Sequence, residues 1–195
     1  MIGSTMLLKS LSLISATGSR NLTAACAVAL FCLLTLASKP ATASELPMGA
    51  MAEAPEVSEV LVRKEERRLY LLSGEQVVRS YRIGLGDNPS GHKLYEGDKR
   101  TPEGEYVLDW RNPDSDFYKS IHISYPNEQD REQASAWGLD PGGSIMIHGL
   151  PNDAGDLAFA FLGLDWTDGC IAVSNEEMDE IWQLVADGTP IRIVP

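Results

Sequence analysis

The sequence predicts a mainly-β domain with about three short helices at its edges. Two observations carry this. Short runs of alternating apolar and polar residues recur from Val57 to Val194, bounded by Gly, Pro, Asn or Asp, which is the period of half-buried strands. A helical period of apolar residues is clear only at Met178, Ile181, Trp182 and Val185. The length, 195 residues, suits one domain of ordinary size with a substantial core.

Residues 1–43 read as a secretory signal. Lys9 and Arg20 form a basic region, residues 22–37 an apolar run short for a membrane span, and Ala41-Thr42-Ala43 a small-x-small site, so cleavage is expected after Ala43. An uncleaved anchor is the alternative. The expected destination is the periplasm or cell envelope. Residues 44–56, rich in Ala, Pro, Met and Glu, read as a linker, and 57–195 as the functional domain.

Within that domain, 57–63 and 68–72 are expected strands, and Ser73-Gly74 turns the second into a strand over 76–83. Arg67 and Arg68 beside Glu65 and Glu66 read as a solvated edge. Residues 84–104, rich in Gly and poor in apolar side chains, form a long ordered loop; its 97–104 end is expected to be structural, with Pro102 presetting the backbone. Strands follow at 105–110 and 120–125, with a polar turn at 111–116 between them. Asn127 caps a helix over 128–137, and Gly138 ends it. Pro141-Gly142-Gly143 turns into a buried strand at 144–148. Residues 153–164 suggest a short helix, 165–169 a loop and 171–173 a strand. Ser174 and Glu177 form a capping box for the last helix, Gly188 closes it, and 191–194 is the final strand.

Charge and cysteine usage narrow the function. The net charge is -12, and residues 1–43 contain basic residues but no acid, so the rest is more acidic still. That argues against nucleic acid and anionic membranes as partners; a cationic or zwitterionic ligand is easier to accommodate, and solubility alone is the competing explanation. Removal of 1–43 takes away Cys26 and Cys32 and leaves Cys170, which has no intramolecular disulfide partner. A lone thiol in an oxidising compartment is either buried and inert or used. Cys170 follows Gly169 in a loop, where the amide groups of Gly169 and Cys170 are candidates for holding an oxyanion. A thiol is mostly protonated at neutral pH and needs a base. Of the candidates, His92 lies in the Gly-rich loop and is expected to be exposed, His122 lies on the polar face of a strand, and His148 ends an apolar strand before Gly149, whose carbonyl is suited to fixing its tautomer. No residues show metal-ligand spacing, and neither a metal nor another cofactor is expected.

The order His148-Gly149, Thr167-Asp168-Gly169-Cys170-Ile171, Asn175 resembles the signature of the YkuD-type L,D-transpeptidase catalytic domain, in which His is followed after a gap by Ser or Thr, His, Gly, Cys, an apolar residue and then Asn. Gly97-Asp98-Lys99-Arg100-Thr101-Pro102-Glu103-Gly104 and Gly84-Leu85-Gly86 resemble other recurrent blocks of that family. The resemblance covers about 57–195. It implies a β-sandwich with a few short peripheral helices, Cys170 as nucleophile, His148 as base steadied by Gly149, and Thr167, Asp168 and Asn175 at the substrate. The implied substrate is a peptidoglycan stem peptide: Cys170 attacks the carbonyl between the L-centre of a diamino acid and D-Ala, and an amine or water resolves the thioester. Two departures stand out, Asp168 for the usual His and Ala172 for the usual Arg. They resemble a branch that includes an enzyme releasing a lipoprotein from peptidoglycan, so a wall-attached lipoprotein is a further candidate partner. A non-catalytic wall-binding module and a secreted cysteine protease are the readings outside this class, although no papain-like cysteine block is present.

Overall fold

A computed structural model describes residues 55–195. The expected signal segment and nearly all of the linker lie outside the described residues. Eight strands carry the fold: β1 (Glu59–Arg63), β2 (Arg68–Ser73), β3 (Gln76–Arg82), β4 (Gly104–Ser115), β5 (Tyr118–Ile123), β6 (Met146–His148), β7 (Ile171–Ala172) and β8 (Thr189–Val194). Two α-helices, α1 (Glu128–Ala136) and α2 (Asn175–Leu184), and a 3-10 turn (Gly155–Phe161) complete it. The predicted mainly-β class with three short helices is therefore what the chain adopts.

The strands form one sheet in the order β3-β2-β1-β8-β4-β5-β6-β7. Two neighbouring pairs, β1–β8 and β6–β7, are parallel, and the others are antiparallel. The ends of this order meet. Immediately after β3, Gly84 exchanges both backbone hydrogen bonds with Ala172 of β7, each 2.9 Å. The sheet thus closes on itself and leaves no open seam at the cysteine end. Alternate residues face inward: Val60 and Val62, Leu69 and Leu71, Tyr106 and Leu108, Ile121 and Ile123, Ile191 and Ile193 are all buried in one core with Ile147 and Ile171. Met178 and Ile181 of α2 join it.

Both helices begin as predicted. Asn127 and Ser174 each accept the N–H three residues on, and Asp130 and Glu177 reach back to the cap residue, completing two capping boxes. Such a cap is typically worth about 1 kcal/mol. At the other end of α2, the Arg111 guanidinium donates to the carbonyls of Trp182 and Val185, groups that would otherwise lack partners.

Three expectations are corrected. Residues 111–116 are not a turn but the end of β4, whose pairing with β5 is irregular around Leu108–Arg111 and Asn112–Ser115. These irregularities accommodate Pro113 within a strand. Arg67 is not a solvated edge: it forms a two-pronged ion pair with Asp165 at 2.7–3.0 Å, and Asp165 also accepts the Leu85 N–H. His92 is not a free loop residue: its Nδ1 accepts the Glu103 N–H at 3.0 Å and its Nε2 lies 3.2 Å from Asp130. The 84–104 loop is ordered by buried charge. Lys64 Nζ donates to Gly91 O, Thr101 O and Glu103 Oε1, and Asp98 accepts from Lys93 and from the backbone N–H groups of Leu94 and Arg100.

Candidate active site

The parallel pairing of β6 with β7 sets Ile147 beside Ile171 and His148 beside Ala172. Ile147 and Ile171 point into the core, so alternation turns Met146, His148 and Ala172 to the other face. Cys170 immediately precedes β7. Extending the register one residue places it beside Met146, on the same face as His148. Such diagonal neighbours on a sheet face are roughly 7–8 Å apart, within reach of two side chains.

His148 is nearly inaccessible to solvent, at 3% exposure. Its ring packs 4.6 Å from Phe117 and 5.6 Å from Trp166, centroid to centroid, and Phe161 packs in turn on Trp166. Its Nδ1 lies 2.7 Å from the Gly149 carbonyl. A carbonyl only accepts, so Nδ1 carries the proton and Nε2 is the basic nitrogen. Burial pushes the imidazole pKa down to about 4; the Gly149 carbonyl works against that shift. Gly149 has no room for a side chain, because a Cβ would lie 2.6 Å from Asn175 Oδ1 and 2.9 Å from Tyr118 Cβ.

This burial has a pH signature. The unfolded chain takes up the His148 proton near pH 6.5, whereas the folded chain takes it up near pH 4. Between those values the unfolded state binds more protons, so this contribution to stability is present above pH 6.5 and is lost as pH falls toward 4. The loss is on the order of 3 kcal/mol. Denaturant melts of the wild type and His148→Gln from pH 7 to 4 are expected to converge as pH falls; a constant difference would exclude titration of this ring.

Cys170 Sγ is 3.6 Å from the Ser144 carbonyl, to which the thiol donates. Ser144 adopts a left-handed φ of 56°, uncommon outside Gly. Burial raises the thiol pKa and Asp168 raises it further, opposed by the Met146 N–H and Lys93. The sequence suggested a thiol activated beforehand by imidazole. The structure instead favours a neutral thiol and a neutral imidazole at rest, because burial disfavours both charges. The thiol opens into a cleft of about 390 Å³ whose walls include Lys93, Lys99, Gly143, Ser144 and Asp168.

The remaining candidates divide. Asp168 is exposed on the cleft wall. Thr167 is buried, and its hydroxyl donates to Cys170 O at 2.8 Å while accepting the Gly169 N–H at 3.1 Å. The Thr167 hydroxyl thus braces the turn at Cys170 and engages the Gly169 N–H. Gly169 itself is required for close approach, since at φ 129° its Cβ would fall 2.6 Å from Arg100 O. Asn175 Oδ1 accepts the Leu150 N–H at 2.9 Å, so Asn175 fixes the backbone just after His148. His122 is held elsewhere, 2.6 Å from Asp109. The aromatic cover of His148 and the Ser144 carbonyl were not found from sequence. Phe161 and Trp166 carried a faint signal, as bulky aromatics in the segment between the His and Cys motifs. Among the described residues no three His, Cys, Asp or Glu side chains form a group suited to a metal ion.

The fold and site define a class: a closed mainly-β domain with a cysteine and a histidine on one face of adjoining parallel strands. Residues 58–193 match the YkuD family, the L,D-transpeptidase catalytic domain, and the chain belongs to that family. YafK of Escherichia coli (strain K12), provisionally named an L,D-transpeptidase, is 38% identical over 133 residues, covering 65% of this chain and 46% of YafK. Among solved structures, the helical cell shape determining protein Pgp2 from Campylobacter jejuni superposes with a TM-score of 0.55 at 29% identity, covering 70% of this chain and 47% of that one. Bd1075 from Bdellovibrio bacteriovorus gives 0.50 at 26% identity, covering 74% and 50%. The chain thus spans about half the length of these relatives.

Proposed function

We propose that the protein is a secreted, cysteine-dependent L,D-transpeptidase of the cell envelope acting on peptidoglycan stem peptides. The observation that carries this reading is the β6–β7 register, which puts His148 and Cys170 on one face with the thiol at a cleft and the imidazole locked by Gly149. Cys170 Sγ attacks the carbonyl between the diamino acid L-centre and D-Ala. As the C–S bond forms, His148 Nε2 takes the thiol proton and passes it to the nitrogen of the departing D-Ala, whose C–N bond breaks. The thioester is resolved by an amine or water, which gives its proton to Nε2 while the sulfur leaves and is reprotonated. With the Gly169 N–H engaged by Thr167, the Cys170 N–H is the candidate donor to the oxyanion. A histidine basic only near pH 4 remains unprotonated throughout the neutral range. Incubation with tetrapeptide muropeptides followed by mass spectrometry tests the reading: cross-linked or exchanged products indicate transfer, tripeptide indicates hydrolysis, and unaltered substrate refutes it.

A hydrolytic variant, including release of a wall-attached lipoprotein, is the second reading. It is motivated by Ala172, whereas Asp168 bears on the choice of acceptor. Ala172 is buried, paired to both His148 and Gly84, and cannot clamp a substrate carboxylate as an arginine would. Asp168 disfavours negative charge on sulfur yet attracts an acceptor ammonium. Asp168→Asn is therefore expected to acylate faster in stopped-flow measurements with a carbapenem. It is also expected to partition more to water. If neither rate nor partitioning changes, Asp168 has no role at the thiol.

A further inference from the structure

Two strands away from β6, a second feature lies on the same face of the sheet. The indole of Trp110 is stacked on the imidazole of His122, with centroids 4.9 Å apart and planes 17° from parallel. His122 Nδ1 is held 2.6 Å from Asp109 Oδ1. His122 is largely covered, whereas Trp110 is 44% exposed, so one broad apolar ring is presented to solvent on a rigid backing. Trp110 sits where the pairing of β4 with β5 is irregular, between Leu108 and Arg111. A bulge of that kind re-aims a side chain that regular pleating would point elsewhere.

The register ties this platform to the thiol. His122 is paired with Met146, and Met146 with Cys170 by extension of the β6–β7 ladder. Cys170, Met146, His122 and Trp110 therefore form a row across four neighbouring strands, on the face opposite the buried Ile121, Ile147 and Ile171. Strands lie about 4.8 Å apart, so the platform begins about 10 Å from the thiol at His122 and reaches about 14 Å at Trp110.

We propose that Trp110, backed by His122 and Asp109, is a subsite for a saccharide ring of the glycan strand that carries the donor peptide; this rests on the stem-peptide reading above. The acylated carbonyl belongs to the third residue of the stem, and the first residue is joined to the sugar. Three extended residues span about 10–11 Å, which delivers the sugar to the platform when the carbonyl is at Cys170. A pyranose presents a face of C–H groups that packs on an aromatic ring, and a bare tryptophan face on a preset backing accepts it with little ordering cost. The location disfavours other parts of the substrate. A reacting amine must come within about 3.5 Å of the acyl carbon, and a free carboxylate would meet the exposed side chains of Glu105 and Asp109 on this face.

The test compares kcat/KM for the free tetrapeptide and for the same tetrapeptide on its disaccharide, in the wild type, Trp110→Ala and Trp110→Phe. The wild type is expected to prefer the disaccharide form by roughly 3- to 10-fold, the range of one aromatic contact. Trp110→Ala should erase the preference through KM while leaving the free tetrapeptide unchanged, and Trp110→Phe should retain part of it. No preference in the wild type, or an equal loss on both substrates, overturns the proposal. Calorimetric titration of both ligands into Cys170→Ala, with and without Trp110→Ala, reads the subsite without turnover. A binding preference that depends on Trp110 supports the subsite even if the wild type turns over neither ligand, and one that survives Trp110→Ala refutes it.

Discussion

Replacing Cys170 by alanine is expected to abolish turnover of muropeptides and leave the fold intact. The proposed mechanism needs a covalent thioester, and no other cysteine lies outside residues 1–43. Structurally the side chain contributes little. Its thiol makes one long hydrogen bond, to Ser144 O at 3.6 Å, and it opens on a cleft rather than filling the core. A loss of about 1 kcal/mol shifts the melting temperature of a domain this size by only about 2–4 °C. Cys170→Ser should be equally inactive, because a hydroxyl is a far weaker nucleophile beside so weak a base. Turnover by purified Cys170→Ala above the level of buffer would overturn the thioester mechanism.

The second large effect is expected at His148. Positioned general-base catalysis typically contributes on the order of 100- to 10,000-fold, and His148→Ala should slow acylation by that amount at neutral pH. His92→Ala should change little, since its two ring nitrogens face Glu103 N and Asp130. His122→Ala should act more weakly than His148→Ala, because its ring lies two strands from the thiol and faces Asp109 and Trp110. A pH profile sharpens the comparison. With the imidazole pKa near 4, the acid limb of kcat/KM should lie well below the ordinary histidine value of about 6.5. A limb at 6.5, or a larger effect at His122, would move the base elsewhere.

Much of this architecture can be read from residue patterns, and the exceptions share a physical cause. The β2–β3 hairpin, β5, both capped helices and the inward isoleucines follow from local periodicity and local hydrogen bonding. His148 and Cys170 were legible because a polar ring ending an apolar strand and a thiol after glycine each stand out from their surroundings. What local pattern misses is decided by distant partners. Arg111, Asn112 and Ser115 look like part of a turn until β5 pairs with them. Arg67 looks like surface charge until Asp165 arrives from far along the chain. The bracing role of Thr167 is invisible until Gly169 and Cys170 fold around its hydroxyl. The short helix read over 153–164 is present only as a 3-10 turn, which contains no buried residue, so no core contact draws out a longer helix.

The parallel orientation of β6 and β7 imposes an obligation on the chain. Strands running the same way cannot be joined by a tight hairpin, so the polypeptide must travel back over the sheet before it can begin the second strand. Residues 149–170 make that journey, and on the way they lay Trp166, backed by Phe161, edge-on against the imidazole. The dry wall beside His148 is thus no separate appendage: the route that brings the cysteine alongside the histidine also walls it in. The ladder, not the length of this excursion, sets the register of His148 and Cys170.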